Sequence, residues 1–214
     1  MKHTPKVSIC IPFHWMRNWQ MFLTRCLTSI EQQSFTDYEI VLMKVGTMPV
    51  TSNRVIESAK GELIKILYMD DFFAHPDALK NIVENFSGNW LVTACNHYEE
   101  DVFRMVDGEM SSTHSTHYPK YSSNIIQGVN TIGSPSVLTI KRETAMLFDE
   151  KMSWLLDCDL YARYYEAFGE PTVLNDVNVT IGIGQHQMTN TLTNAEKQAE
   201  HDYLLNKYST YISA

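Results

Sequence analysis

The sequence holds only four cysteines in 214 residues, Cys10, Cys26, Cys95 and Cys158, and no two form a CxxC pair. They read as buried thiols in a reducing compartment. Neither disulfides nor a structural metal is required, since a chain of this length buries roughly 70% of its unfolded surface. Long apolar runs are also missing: nothing approaches the roughly 18 residues of a membrane span. The amino terminus leads into an apolar run, Val7 to Phe13, too short and too broken for a signal peptide. A soluble cytoplasmic protein with no membrane span is the expectation. Basic charge is scarce, with 17 Lys and Arg against 25 Asp and Glu and a net charge of −8, which argues against a nucleic acid partner. GxxxxGK[ST], GxGxxG after the first strand, GxSxG and HExxH are all absent, so kinase-like, dinucleotide-dependent and common hydrolase readings lose their support.

What is present is 44% apolar and 20% charged, the balance of one globular domain over 1–214. The charge is uneven: residues 1–69 hold eight Lys/Arg and five Asp/Glu, so the acidic surplus lies in 70–214. A phosphate-bearing ligand placed against a carboxylate-held cation would suit that split. Over the first hundred residues short β-rich runs alternate with helical spacing. Val7 to Pro12 is a strand, Trp19 to Ile30 a helix, Glu39 to Lys44 a strand, about Ser52 to Lys60 a helix, Glu62 to Tyr68 a strand, Asp77 to Phe86 a helix and Trp90 to Cys95 a strand. This predicts an α/β fold with a mainly parallel sheet and crossover helices. Residues 97–135 are polar, rich in His and Ser, and read as a long excursion able to cover a site. Val137 to Lys141 returns to strand, Asp157 to Phe168 is a helix, Thr172 to Gly182 is extended, and Asn194 to Tyr208 is a terminal helix. Ligands of such sheets bind beyond the carboxyl ends of the strands, here Phe13-His14, Lys44 to Thr47 and Met69 to Phe73.

Two acidic pairs stand out. Asp70-Asp71 ends the third strand, where a hard divalent cation, Mn²⁺ or Mg²⁺, would offset their repulsion; alternatively both simply cap the turn into the helix after Pro76. Asp157 and Asp159 open a helix, where carboxylates are favoured by the dipole. Two residues apart, they do not share a helix face, so one can act as a general base while the other caps or hydrogen-bonds. His186, in a glycine-flanked loop after the last strand, is either a metal or phosphate contact or a surface residue. His114 and His117, spaced HxxH, lack any further ligand pattern.

Taken in order, these pieces resemble the family 2 inverting glycosyltransferases of the GT-A fold over nearly the whole chain. Val7 to Pro12 resembles that family's opening strand, Arg25 to Ile30 with Gln33 its first helix, and Tyr38-Glu39-Ile40-Val41 its second strand. Asn53 followed by Ala59-Lys60-Gly61-Glu62 leads to Asp70-Asp71 in the place of its metal motif. Ile132 to Val137 resembles its central segment, and Leu156-Asp157-Cys158-Asp159-Leu160 with Arg163 its base motif. The resemblance implies a Rossmann-like, mixed and mainly parallel sheet flanked by helices, with 1–96 as the nucleotide-sugar half and 97–214 as the acceptor half. It implies transfer of a sugar from a nucleotide-diphosphate sugar to an unidentified acceptor hydroxyl, with Mn²⁺ or Mg²⁺ as cofactor. Asp157 is then the catalytic base, Asp70 and His186 hold the metal, and Pro12, Phe13, His14, Lys44, Asn53 and Asp71 contact the donor. Gly133, Ser134, Trp154 and Asp159 fall to the acceptor side.

Three departures accompany the likeness. The second strand ends in Met43-Lys44-Val45-Gly46-Thr47 where the family carries aspartate that reads the base, Tyr68 takes the first position of the Asp-x-Asp, and Ser52 stands where the family has arginine. They support the alternative of a catalytically degenerate binding or scaffolding protein. A nucleotidyltransferase ranks lower, because Phe13 to Asn18 has no glycine.

Overall fold

Val7-Ser8-Ile9-Cys10-Ile11-Pro12 is buried at every position, the mark of a strand covered on both faces. This strand, β1 (Val7–Pro12), lies inside the sheet of the computed structural model, which describes residues 3–99, 105–106, 109–110 and 115–212. The other strands are β2 (Tyr38–Met43), β3 (Leu63–Ile66), β4 (Phe72–Phe73), β5 (Trp90–Glu99), β6 (Met105–Val106), β7 (Glu109–Met110), β8 (Ser115–His117), β9 (Leu138–Lys141) and β10 (Thr172–Ile183). The helices are α1 (Trp19–Glu31), α2 (Met48–Ser58), α3 (Ala78–Asn85), α4 (Leu156–Phe168), α5 (Met188–Thr191), α6 (Asn194–Lys207) and α7 (Ser209–Ile212).

The main sheet runs β2-β1-β3-β9-β5-β10-β4, with β8 paired to β5 beyond β9 and a separate β6-β7 pair. β1 is parallel to β2 and β3, and β10 is parallel to β5. β9 is antiparallel to both β3 and β5, so β5 and β10 run in the same direction as the first three strands. The predicted mixed, mainly parallel sheet is therefore present, and the carboxyl ends of five strands open on one edge. Two features differ from the sequence expectation. The segment around Pro49 is already helical, because proline is well placed in a first helical turn, so α2 begins at Met48 rather than near Ser52. The residues after Asp71 form a short strand, antiparallel to β10, that no periodicity of two residues could announce.

The excursion after residue 96 is anchored more firmly than its polarity suggests. β5 continues to Glu99, β8 pairs with it, and Ile125 and Ile132 are fully buried. His114 lies outside the described residues. Among the described residues no helix is long and apolar enough to cross a membrane.

Several polar side chains are buried in this core, among them that of Lys65 on β3. It is fully buried, and its amino group donates to the carbonyls of Ser136 and Leu138. Burial pushes its pKa down to about 7, although Asp71 pulls the other way. Between that value and the ordinary 10.5 the unfolded chain binds a proton that the folded chain does not, so stability rises with pH. Urea unfolding from pH about 7 to about 8.5, below the thiol range, should show a rising midpoint that Lys65→Met abolishes; a flat wild-type profile would refute a neutral Lys65.

Candidate active site

The turn from β3 into β4 carries Tyr68-Met69-Asp70-Asp71, and its geometry follows from which side chains can be buried. Met69 is fully buried and Asp71 is 2% exposed, so the turn is pinned at two points and Asp70 is left facing outward. The Asp71 carboxylate accepts from the backbone N–H of Gly182 on β10 at 2.9 Å and from the Ser134 hydroxyl at 3.5 Å. Burial, with the negative Asp70 beside it, raises its pKa well above the carboxylate range. The reading in which these aspartates cap the next helix fails: the cap position of α3 is Asp77.

Asp70 faces His186, which the loop after β10 delivers: Asp70 Oδ2 and His186 Nε2 are 3.2 Å apart. Arg25 of α1 donates to the Asp70 carbonyl, and the His186 ring packs on Phe22 with centroids 4.8 Å apart. His14, just past β1, borders the same space. Its Nδ1 is buried without a hydrogen-bond partner, and burial lowers its pKa, opposed by Asp70 and reinforced by His186.

The facing wall is the start of α4. Asp157 Oδ2 accepts from the Asn130 side-chain amide at 2.7 Å, and Oδ1 accepts from the N–H of Cys158 at 2.7 Å. Burial raises the Asp157 pKa to about 6, and both hydrogen bonds oppose the rise. Asn130 also binds the carbonyl of Gly133 and accepts from the N–H groups of Ile132 and Gly133, so the Asp157 carboxylate and the central segment are fixed by one side chain.

Between the walls lies a cleft of ≈ 170 Å³ that brings together His14, Asp70, Asp71, Ser134, Trp154, Asp157 and His186. Tyr68 lines it too, its hydroxyl buried beside Ser52 and within the field of Asp157, Asp70 and Asp71. Six residues expected at the site are used elsewhere. Pro12 is buried in β1, opposite Met43. Phe13 is 8% exposed and packs edge-on against Trp15 and Trp19, with centroids at 4.8 and 5.1 Å. Lys44 is exposed, its Nζ 5.3 Å from the centre of the Trp15 ring. Asn53 is a buried clamp, exchanging hydrogen bonds with the backbone of Phe148 and donating to Glu150. The Gly133 carbonyl accepts from Tyr161 and Asn130. Asp159, fully buried, is held by Arg163, Lys207 and Tyr208, so it is a structural anchor of α4. Arg25 and Asn130 are the site residues that sequence reasoning passed over; the only signal for Asn130 was its place three residues before Gly133.

Asp70 and His186 are also the residues able to hold a cation. Among the described residues no cluster of three acidic, His or Cys side chains could do so. Mg²⁺ keeps ligands at about 2.1 Å in octahedral array, which places neighbouring ligand atoms roughly 3 Å apart, close to the 3.2 Å seen here. The Asp70 carboxylate suits a hard cation whose other positions are left to substrate phosphates and water, whereas the His186 imidazole is a donor better matched to a transition metal.

No family model matches the chain, and no curated protein matches it. Solved structures do. S. aureus TarS residues 1–349 in complex with UDP-GlcNAc aligns with a TM-score of 0.63 at 14% identity, covering 88% of this chain and 61% of that one. The same TarS segment in complex with UDP gives 0.58 at 14% identity, covering 96% and 72%. A structure of S. aureus TarS gives 0.59 at 16% identity, covering 95% of this chain and 43% of that one. The fold is that of a glycosyltransferase. The chain thus spans less than two thirds of the first of these structures.

Removing the Asn130 amide takes away a donor that favours the charged Asp157. In Asn130→Ala the Asp157 carboxyl should titrate above about 6, followed by carboxyl carbon NMR; an unchanged or lower midpoint would show that Asn130 does not tune it.

Proposed function

We propose that this chain transfers a sugar from a nucleotide-diphosphate sugar to an acceptor hydroxyl, with inversion, using a divalent cation at Asp70 and His186 and Asp157 as general base. The observation that carries the reading is the placement of Asp70 with His186 and of Asp157 around one cleft, in a fold shared with a protein crystallised with UDP-GlcNAc. The reading divides the chain into a donor half, 1–96, and an acceptor half, 97–214.

A bound Mn²⁺ or Mg²⁺ would stabilise the negative charge that grows on the departing diphosphate. Asp70 and His186 orient the diphosphate from one wall, and Arg25 steadies that wall by holding the Asp70 backbone. From the other wall Asp157 takes the proton of the attacking hydroxyl as the new glycosidic bond forms. Its pKa of about 6 leaves it charged at neutral pH, yet basic enough to accept a proton in the transition state. Trp154, beside Asp157, offers an apolar face for an acceptor or donor sugar ring.

One observation favours a second reading, a protein that binds a nucleotide sugar without transferring it. The expected base contacts are taken up by the chain itself, Phe13 by Trp15 and Trp19, and Lys44 by Trp15. Turnover separates the two.

Mn²⁺ together with UDP should raise the melting temperature, by mass action on the folded state, and Asp70→Ala should abolish the shift. No shift with any nucleoside diphosphate would remove the donor site. Asp157→Asn should keep that shift while losing about 10²- to 10⁴-fold in kcat; undiminished turnover would remove Asp157 as base. In the wild type kcat/KM should rise through pH about 6 and level off above it, because only the deprotonated carboxylate accepts a proton.

A further inference from the structure

α4 begins without the usual cap. Its N-cap position is Leu155, whose side chain can accept no hydrogen bond, and the turn before it, Ser153-Trp154-Leu155, presents three successive backbone N–H groups. All three point at one carboxylate from another element. Glu200 of α6 accepts from Trp154 and Leu155 through Oε1, each at 2.6 Å, and from Ser153 through Oε2 at 2.9 Å. An anion in a nest of N–H groups at a helix N-terminus is favoured by the hydrogen bonds and by the helix dipole together. Glu200 does not border the cleft, whereas Ser153, Trp154 and Asp157 all do.

We propose that Glu200 is a positioning residue: by filling the nest at residues 153–155 it fixes the turn that aims Trp154 and Asp157 into the cleft. This rests on the reading of the cleft as a transferase site. With the carboxylate gone, three donors lose their partner at once, and the segment can satisfy them only by rearranging or admitting water. Small displacements of a catalytic carboxylate are costly, because transfer needs hydrogen-bond reach to the incoming hydroxyl. The donor wall, built on the β3–β4 turn and the loop after β10, has no hydrogen bond to Glu200, so donor binding is spared. Docking of α6 is spared too. Leu204 is fully buried, His201 binds the Gln127 carbonyl, and Lys207 bridges Asp149 and Asp159.

The test compares Glu200→Ala and Glu200→Gln with Glu196→Ala, which removes the exposed capping box at the start of α6 and leaves the nest intact. Two readouts are taken: amide hydrogen exchange over 153–158, and kcat beside the melting shift given by Mn²⁺ with UDP. The expected result is faster exchange in both Glu200 variants but not in Glu196→Ala. A kcat loss of about 10- to 100-fold should accompany it in Glu200→Ala, smaller in Glu200→Gln, which keeps one acceptor oxygen, with the nucleotide shift intact in both. Unchanged exchange overturns the clamp. Faster exchange with full kcat overturns the positioning role. A wild type that turns over no sugar nucleotide defeats the transferase reading, and the exchange measurement then still decides whether Glu200 holds the turn.

Discussion

Two adjacent carboxylates at a strand end cannot share one environment, and the cleft follows from how the chain separates them. Asp71 goes inward and is compensated by the N–H of Gly182 and by Ser134. Its neighbour is thereby turned outward. The same hydrogen bond ties the β3–β4 turn to the end of β10, and it is the chain leaving β10 that brings His186 to Asp70. Replacing Asp71 by an apolar residue would leave the Gly182 N–H without its partner and loosen both elements. The buried acid positions the partly buried one.

The opposite wall is assembled from more distant parts. Asp157 lies on the first turn of α4, where the helix dipole favours negative charge, but its direction is set by Asn130. α6 meets α4 at its amino-terminal end through Glu200, and again through Lys207 and Tyr208 on Asp159. A carboxylate that must keep a raised pKa has to stay in a desolvated place, and such a place exists only if the surrounding backbone is fully hydrogen-bonded. Asn130 and Glu200 supply those bonds. The acid pair of α4 divides as a helix requires: Asp157 faces the cleft, and Asp159 faces the scaffold.

Sequence reasoning reached the strand directions, the long helices and the cleft residues Asp70, Asp157 and His186, because each rests on a local signal: periodicity, a strand terminus, a helix start or a glycine-flanked loop. It did not reach contacts between residues that meet only in space. Asn53 and Phe148 are 95 positions apart and Glu200 lies 46 beyond Trp154, so no spacing rule could pair them. Asp159 is indistinguishable from Asp157 in the sequence until Arg163, Lys207 and Tyr208 close around it. The strand at Val137 to Lys141 is legible, but its insertion between β3 and β5 as β9 is not, since the order of strands in a sheet is set by tertiary packing.

The departures from the glycosyltransferase pattern gain physical meaning from this arrangement. Tyr68 replaces an acid at the start of the β3–β4 turn, and a third carboxylate there would stand in the combined field of Asp70, Asp71 and Asp157. A neutral phenol avoids that repulsion and fills space among the three. Lys44 lies outside the cleft, over the exposed ring of Trp15, so replacing an acidic side chain by a basic one at that position alters the rim without disturbing the carboxylates inside. Of the unusual positions, Tyr68 therefore lines the cleft beside the proposed reactive carboxylates, whereas Lys44 lies outside it. The two sets of positions sit on separate elements, Lys44 just past the end of β2 and Asp70 and Asp157 on the β3–β4 turn and α4.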